Sequence, residues 1–377
     1  MKGLWERGHA VAFLGGCSVL LEETAKLRLP HAKLEIGPPP VTKWAAMNFF
    51  WRRRKMQHRL EAALTGFHDL DGIFMLSLSE KLLLTEFAAK KGINVLWVEH
   101  DRVGPWLRKN PWLPTLRKLS NGVTTICVSE LSRRIYLELG WKAEKVVAIP
   151  NGIDLGQFSP SPSPTLSEVE GSEAKGRRGG GGRGLPRTGV ERLVRGEGVR
   201  LGCVARLSPE KGVDVLIQAV SGLPEVDLTI IGKGPEEGYL RKMIEQIHMT
   251  EMLDRERIRI IPHVDDLAVF YRSIDVLVLP SRDNDPFGLV AAEAMACRTP
   301  VIVTDQCGIA GYLRDGHDAI LCVADSDRAL REAILRSMDE SLRVRLSENG
   351  RATTERVLSL DSMIAAYAKL LGERGRR

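Results

Sequence analysis

LVLPSRDNDPFGLVAAEAMACRTPV, residues 277–301, is the stretch that decides the fold of this chain. Its opening belongs to a short apolar run, Val276 to Leu279, bounded by turn chemistry and suited to a buried strand. A polar loop follows. Asp285 and Pro286 then supply an N-cap and a proline at the first helical position, so a helix is expected to begin there. The N–H groups of Phe287, Gly288 and Leu289 would head that helix and form an anion site reinforced by its dipole, with Gly288 letting a phosphate approach the backbone. Glu293 lies eight residues after Asp285, about 12 Å along a helical axis, a span that suits a sugar at the tip and the ribose of the same nucleotide. Taken alone, the pair reads first as a cap and a solvated acid.

The same strand, helix, strand alternation extends in both directions. Downstream, Leu201–Val204, Leu228–Ile231, Ile258–Ile261 and Val301–Val303 are further apolar runs, separated by helically periodic stretches such as Gly212–Val220 and Glu236–Ile247. Upstream, Asn94–Val98, Thr124–Val128 and Val146–Ile149 repeat the pattern, with Ser129–Leu139 helical. Strands apolar on both faces and alternating with helices form parallel sheets. Two doubly wound α/β domains follow, with ligand in the crevice at the carboxyl ends of their strands. The expected division is 1–155, an insertion at 156–199, and 200–360. The insertion is rich in Ser, Pro, Gly and Arg and too poor in apolar residues to order itself, so it reads as a flexible link.

At 377 residues, 44% hydrophobic and 27% charged, the composition is that of a soluble globular protein with room for two cores. No apolar run is long enough to span a bilayer, and MKGLWERGHAVAFLGG at the start lacks a signal-peptide core, so a cytoplasmic location is expected. The six cysteines are scattered without CxxC or His spacing and are expected to be buried, reduced thiols. The net charge of +6 is uneven: residues 1–155 carry 23 Lys+Arg against 15 Asp+Glu, whereas 200–377 carry 24 against 28. An anionic partner for the first half and a solvated basic face are both open readings.

Arg206 falls just after the Leu201–Val204 run, and Lys211 falls at the start of the next periodic stretch. Two cations at a strand's carboxyl end are equipped to neutralise a diphosphate, the guanidinium forking onto its oxygens. With Asp285 and Glu293 they make up a candidate donor site. Asp283-Asn284-Asp285 also reads as a DxD metal-binding triplet, but with two cations and a helix head on the phosphates a divalent ion would be redundant.

The set VARLSPEKGVDVLIQA (204–219), LTIIGKGPEEGYLRKMI (228–244), DLAVFYRSIDVLVLPSRDNDPFGLVAAEAMA (266–296) and IPNGIDLGQF (149–158) resembles the retaining glycosyltransferases of family 4, which have the GT-B fold. The resemblance covers nearly the whole chain outside the insertion. It implies two Rossmann-like domains facing a cleft and transfer of a hexose from a UDP- or GDP-sugar to a hydroxyl, metal-independent and without a cofactor. In that family the motif Glu-x7-Glu binds the donor, its first acid on the sugar and its second on the ribose; the matching residues are Asp285 and Glu293. Arg206 and Lys211 match the cations on the diphosphate, His100 in WVEHDRVG matches a histidine near the sugar, and Asn151 and Gly152 match the interdomain turn. A front-face mechanism follows from the resemblance, in which the leaving diphosphate helps to deprotonate the acceptor. Two features depart from the family: Asp285 is one methylene shorter than the usual Glu, and the chain opens at what resembles the end of the helix after the family's first strand, so the N-terminal sheet is expected to lack a strand.

The acceptor side is encoded less plainly. VTKWAAMNFFWRRRKMQHRL, residues 41–60, interleaves aromatic and basic residues. It suits either an interfacial helix on an anionic membrane, in keeping with a lipid-linked acceptor, or an amphipathic helix packed on its own domain. Trp106 and Trp112 would line the cleft or cover the core. Helix 361–371 is implied to cross back onto the N-terminal domain. Two other functions use the same fold, a catalytically weak nucleotide-sugar binder or partner subunit and a nucleotide-sugar epimerase. Nucleic-acid binding has only the basic charge in its favour and no stacking motif.

Overall fold

A computed structural model describes residues 1–67, 69–100, 105–160, 198–251, 257–283 and 285–372. The chain divides into two compact units, one comprising Met1–Gly152 with the chain from Leu360 onward, the other Ile153–Ser359. Most of the 156–199 insertion, residues 161–197, lies outside the described residues.

Among its described residues, unit Ile153–Ser359 holds one six-stranded parallel sheet. Its strands are β7 (Val199–Val204), β8 (Val226–Ile231), β9 (Ile258–Ile261), β10 (Val276–Leu279), β11 (Val301–Thr304) and β12 (Ile320–Cys322), in the order β12-β11-β10-β7-β8-β9. Apart from β12, each grows from an apolar run visible in the sequence. β12, Ile320–Cys322, is apolar and only three residues long. Val276 to Leu279 is buried throughout, as a strand covered by helices on both faces must be. From β7 the chain steps outward to β8 and β9, returns to β10 beside β7, and continues to β11 and β12. The carboxyl ends of β7 and β10 therefore flank the point where the strand order reverses, the standard location of a ligand crevice in such sheets.

Unit Met1–Gly152 has its strands in two parallel sheets. One pairs β1 (Phe13–Gly15) with β2 (His31–Lys33); the other runs β3 (Gly72–Met75), β4 (Asn94–Glu99), β5 (Thr124–Cys127), β6 (Val146–Ala148). The sequence did not announce β1, β2 or β3: β2 is HAK, exposed at every position, and β3 is half-buried along most of its length. The Glu130–Glu138 helix begins where Ser129 caps it, its hydroxyl accepting from the Ser132 N–H at 3.1 Å. The Leu360–Gly372 helix packs Met363, Tyr367 and Leu370 against Leu96, Val98, Ile126 and Ile149. Asn94 Nδ2 donates to the Leu370 carbonyl at 3.3 Å, and the Tyr367 ring lies 5.6 Å from that of Phe74.

The aromatic and basic segment forms a helix, Lys43–Thr65, five residues longer than the 41–60 stretch suggested at its C-terminal end, capped by Thr42. Its Phe49 ring meets Trp112 edge-on at 5.3 Å, and Trp112 Nε1 donates to the Ala46 carbonyl at 3.4 Å, so Trp112 covers the core. Four of the six cysteines are buried, Cys203 and Cys307 with their thiols pushed up to about 12 by desolvation. Cys17 is exposed and Cys322 half-buried, which corrects the expectation for those two. Among the described residues, no helix is long and apolar enough to cross a membrane.

Because the Leu360–Gly372 helix covers one face of the β3–β6 sheet, Tyr367→Ala should remove about 3 kcal/mol of stability. Urea unfolding of the full chain, with the midpoint shifted and the slope kept, is the measurement.

Candidate functional site at the carboxyl ends of β7 and β10

Two loops meet at the switch point. The first, Ala205–Gly212, leaves β7 and tightens into a short 3-10 turn, Pro209–Lys211. The second, Pro280–Gly288, leaves β10. They approach so closely that a Cβ on Gly212, which has φ +63°, would lie 2.2 Å from the Pro280 carbonyl oxygen. Only glycine fits both the space and the left-handed backbone. The Arg282 N–H donates to the Glu210 carbonyl at 2.9 Å, and the Arg282 guanidinium reaches the Pro209 carbonyl at 3.1 Å and Asp214 at 2.7 Å. A third segment joins them: Leu207 N–H donates to the Lys233 carbonyl at 2.9 Å, where Gly232 and Gly234 pass against the backbone of Ala205 and Leu207.

Lys211 and Asp285 are brought together across this seam. The Lys211 ammonium donates to Asp285 Oδ2 at 2.6 Å, and the Ser281 hydroxyl donates to the same oxygen at 3.1 Å. The Asp285 side chain is only 9% exposed, so its charge depends on those two donors; truncating the lysine would leave a buried, unpaired carboxylate. Arg206 sits on the same loop as Lys211, two-thirds exposed, with Nε donating to Ser208 Oγ at 3.2 Å and its terminal nitrogen paired with Glu210. Partial burial pushes the Glu210 carboxyl up, but its own N–H, Ser208 and Arg206 together outweigh that and hold it at about 2.

The helix expected to start at Asp285 starts at Leu289 instead, and runs to Ala296 with Gly288 as its N-cap at φ +93°. Residues 285–287 cannot be helical because their backbone pairs with the 306–309 segment. Asp285 N–H donates to the Gln306 carbonyl at 2.8 Å, Gly308 N–H to the Asp285 carbonyl at 2.9 Å, and Ile309 N–H to the Phe287 carbonyl at 2.6 Å. Asp285 is therefore an ion-pair partner and not a cap, and Pro286 is not a first helical residue. Of the three N–H groups expected at the helix head, only that of Leu289 is in the first turn. Phe287 is 2% exposed and is a core residue, its ring tilted against Tyr312 at 6.3 Å. Gly288 abuts Leu279, whose side chain would lie 2.7 Å from an added Cβ.

Glu293 stands four residues along the helix from Leu289, about 6 Å from its head. That replaces the 12 Å separation measured from a helix beginning at Asp285. Its Oε2 accepts from the Tyr271 hydroxyl at 2.7 Å. Burial raises the Glu293 carboxyl above its ordinary range, partly offset by that hydrogen bond. Nothing near Glu293 in the sequence pointed to Tyr271, which lies 22 residues upstream on the Leu267–Ser273 helix.

His100, Asn151 and Gly152 belong to the other unit. His100 is exposed, one residue past the end of β4. Next to it, Glu99 is tied to the buried Lys81 ammonium at 2.9 Å, and Lys81 also donates to the Val98 carbonyl at 3.1 Å. Gly152 N–H faces Met363 Sδ at 3.2 Å, and Asn151 is half-buried beside it. Of the DxD triplet, Asn284 lies outside the described residues, and one Asp285 oxygen is already shared by an ammonium and a hydroxyl.

A doubly wound parallel sheet with cations, an acid and a helix head at its switch point is a nucleotide-binding class of architecture. Residues 191–353 match the family glycosyl transferases group 1, and residues 1–157 match glycosyltransferase family 4. The chain belongs to these glycosyltransferases, whose fold is GT-B. An uncharacterised glycosyltransferase of Methanocaldococcus jannaschii is 36% identical over 149 residues, 39% of this chain and 41% of its own. D-inositol 3-phosphate glycosyltransferase of Xylanimonas cellulosilytica is 34% identical over 235 residues, 59% of this chain and 49% of its own. The chain thus spans about half the length of the curated relatives it matches. Among solved structures, a glycosyltransferase from Rickettsia africae superposes with a TM-score of 0.75 at 17% identity, over 100% of this chain and 93% of that one. Anabaena HepE, crystallised with UDP, gives 0.74 at 17% identity, over 97% and 100%.

The raised Glu293 carboxyl fixes a pH signature. A buried acid that binds its proton more tightly when folded contributes most stability below its ordinary range, and that contribution is lost as pH rises through the raised value. Glu293→Gln, which keeps an acceptor for Tyr271, should therefore be more stable than the parent at neutral pH. The gain should vanish near pH 4; thermal melts across that window test it. Gly212→Ala should lower stability by about 1–3 kcal/mol through strain and the Pro280 clash, read by urea unfolding.

Proposed function

We propose that this chain transfers a hexose from a nucleoside diphosphate sugar, with uridine or guanosine as the base, to a hydroxyl acceptor with retention of configuration. The observation that carries the reading is the ion pair of Lys211 and Asp285 at the switch point, with Arg206 on the same loop. In this reading residues 200–360 bind the donor and residues 1–155 the acceptor. Arg206 and Lys211 neutralise the diphosphate, and the Leu289 N–H at the helix head adds a fixed positive dipole. Gly288 allows a close backbone approach, with Phe287 fixing the loop beneath it. Glu293 accepts from the ribose hydroxyls, Asp285 contacts the sugar, and His100 donates to a sugar hydroxyl. Asn151 and Gly152 form the turn between the units.

The chemistry asks the protein for charge stabilisation and positioning. As the glycosidic bond lengthens, negative charge grows on the leaving diphosphate. Preorganised cations in a partly desolvated site stabilise that charge more than water does. Lys211 begins on Asp285, so an arriving diphosphate competes for an ammonium that is already oriented. The acceptor hydroxyl is held on the same face and loses its proton to the leaving phosphate oxygen, which requires no protein base. Donor selection with these groups calls for no metal and no cofactor. The acceptor is proposed to be a lipid-linked or cell-surface glycan precursor, met at the cytoplasmic face of a membrane.

Supporting this reading, the Xylanimonas relative is itself a glycosyltransferase. A labelled panel of UDP- and GDP-sugars with the full chain should give slow donor hydrolysis without acceptor and a product of unchanged anomeric configuration with one. Arg206→Ala should lower kcat by about 10²–10³, with only a small drop in Tm from the lost Glu210 pair. A panel yielding neither transfer nor hydrolysis sinks the proposal, and donor epimerised without an acceptor reassigns it.

A further inference from the structure

The Lys43–Thr65 helix carries more apolar surface than its unit buries. One face packs inward through Ala46, Phe49, Leu60 and Leu64. At about 100° per residue, Trp44, Met47 and Trp51 fall together on the opposite face. They are 76%, 56% and 85% exposed. A helix apolar on both sides is normally covered on both sides, and two neighbouring exposed tryptophans exceed the scattered apolar residues of an ordinary surface.

Farther along the same side the chemistry changes. Arg54, Lys55 and Arg59 are exposed, and among the described residues they make no hydrogen bond or ion pair. The other two arginines are engaged: Arg52 donates to the Pro38 carbonyl, and Arg53 stacks over Phe50 at 4.6 Å and Trp112 at 5.5 Å. From Ile36 to Leu60 the sequence has six Lys and Arg and no Asp or Glu.

We propose that this face docks on a bilayer of anionic phospholipid. Trp44, Met47 and Trp51 enter the headgroup boundary, where tryptophan partitions best, and Arg54, Lys55 and Arg59 face the lipid phosphates. The charge pattern selects this occupant. A run of cations without one acid complements a uniformly negative surface and needs no matched register, whereas a protein partner would have to supply one. The inference rests on the surface alone and stands apart from the donor chemistry.

The test uses the full chain with vesicles of phosphatidylcholine alone and of equal parts phosphatidylcholine and phosphatidylglycerol, followed by flotation and tryptophan emission. Binding is expected only to the anionic vesicles, with a blue shift and with affinity falling as salt is added. Arg54→Gln/Lys55→Gln/Arg59→Gln should weaken it about a hundredfold at low salt. Trp44→Ser/Trp51→Ser should weaken it about tenfold or more and remove most of the blue shift. All five side chains are exposed, so circular dichroism should be unchanged; if either variant misfolds, the salt dependence and lipid selectivity of the parent still decide. Equal binding to both vesicles, equal binding by folded variants, or no binding overturns the proposal. So does a dimer that the tryptophan variant abolishes while vesicles are ignored.

Discussion

The ion pair between Lys211 and Asp285 organises the Ile153–Ser359 unit. It joins the loop after β7 to the loop after β10, two segments whose strands are adjacent in the sheet but separated by more than 70 residues of chain. Asp285 is nearly buried, so its charge is affordable only with the ammonium and the Ser281 hydroxyl in place. The same requirement keeps an ammonium aimed at the switch point, where a diphosphate would need it. Stability and preorganisation thus come from one contact, and both suffer if either side chain is removed.

Glycine makes that contact geometrically possible. Gly212, Gly232 and Gly234 each lie against the backbone of a neighbouring loop at a distance no Cβ tolerates. The three loops at the carboxyl ends of β7, β8 and β10 therefore interlock through main-chain hydrogen bonds. Arg282 completes the seam by bridging Pro209, Asp214 and Asp325. A site built on an interlocked backbone holds its side chains with little reorganisation, which is what charge stabilisation of a leaving group demands.

The Glu293 helix shows how tertiary pairing overrides local signals. Asp-Pro is a strong helix-start pattern, yet strand-like pairing of residues 285–287 with 306–309 delays the helix to Leu289. The pairing turns Asp285 from a cap into an ion-pair partner and sends Phe287 into the core. Glu293 remains on the helix, but its carboxylate is set by Tyr271, a residue with no sequence proximity to it.

The sequence by itself determined the class of fold and supplied the residues proposed for the site. Apolar runs such as Val276–Leu279, alternating with helical periodicity, dictate parallel sheets because such strands must be buried on both faces. The spaced motifs carried Arg206, Lys211, Asp285 and Glu293 as a set. β2 escaped because HAK has no apolar run and is exposed at every position. Only the tertiary structure decided where the helix begins, which acid meets which cation, and which side of the Lys43–Thr65 helix is left uncovered. Each of those depends on partners far away in the chain, and local propensity holds no record of them.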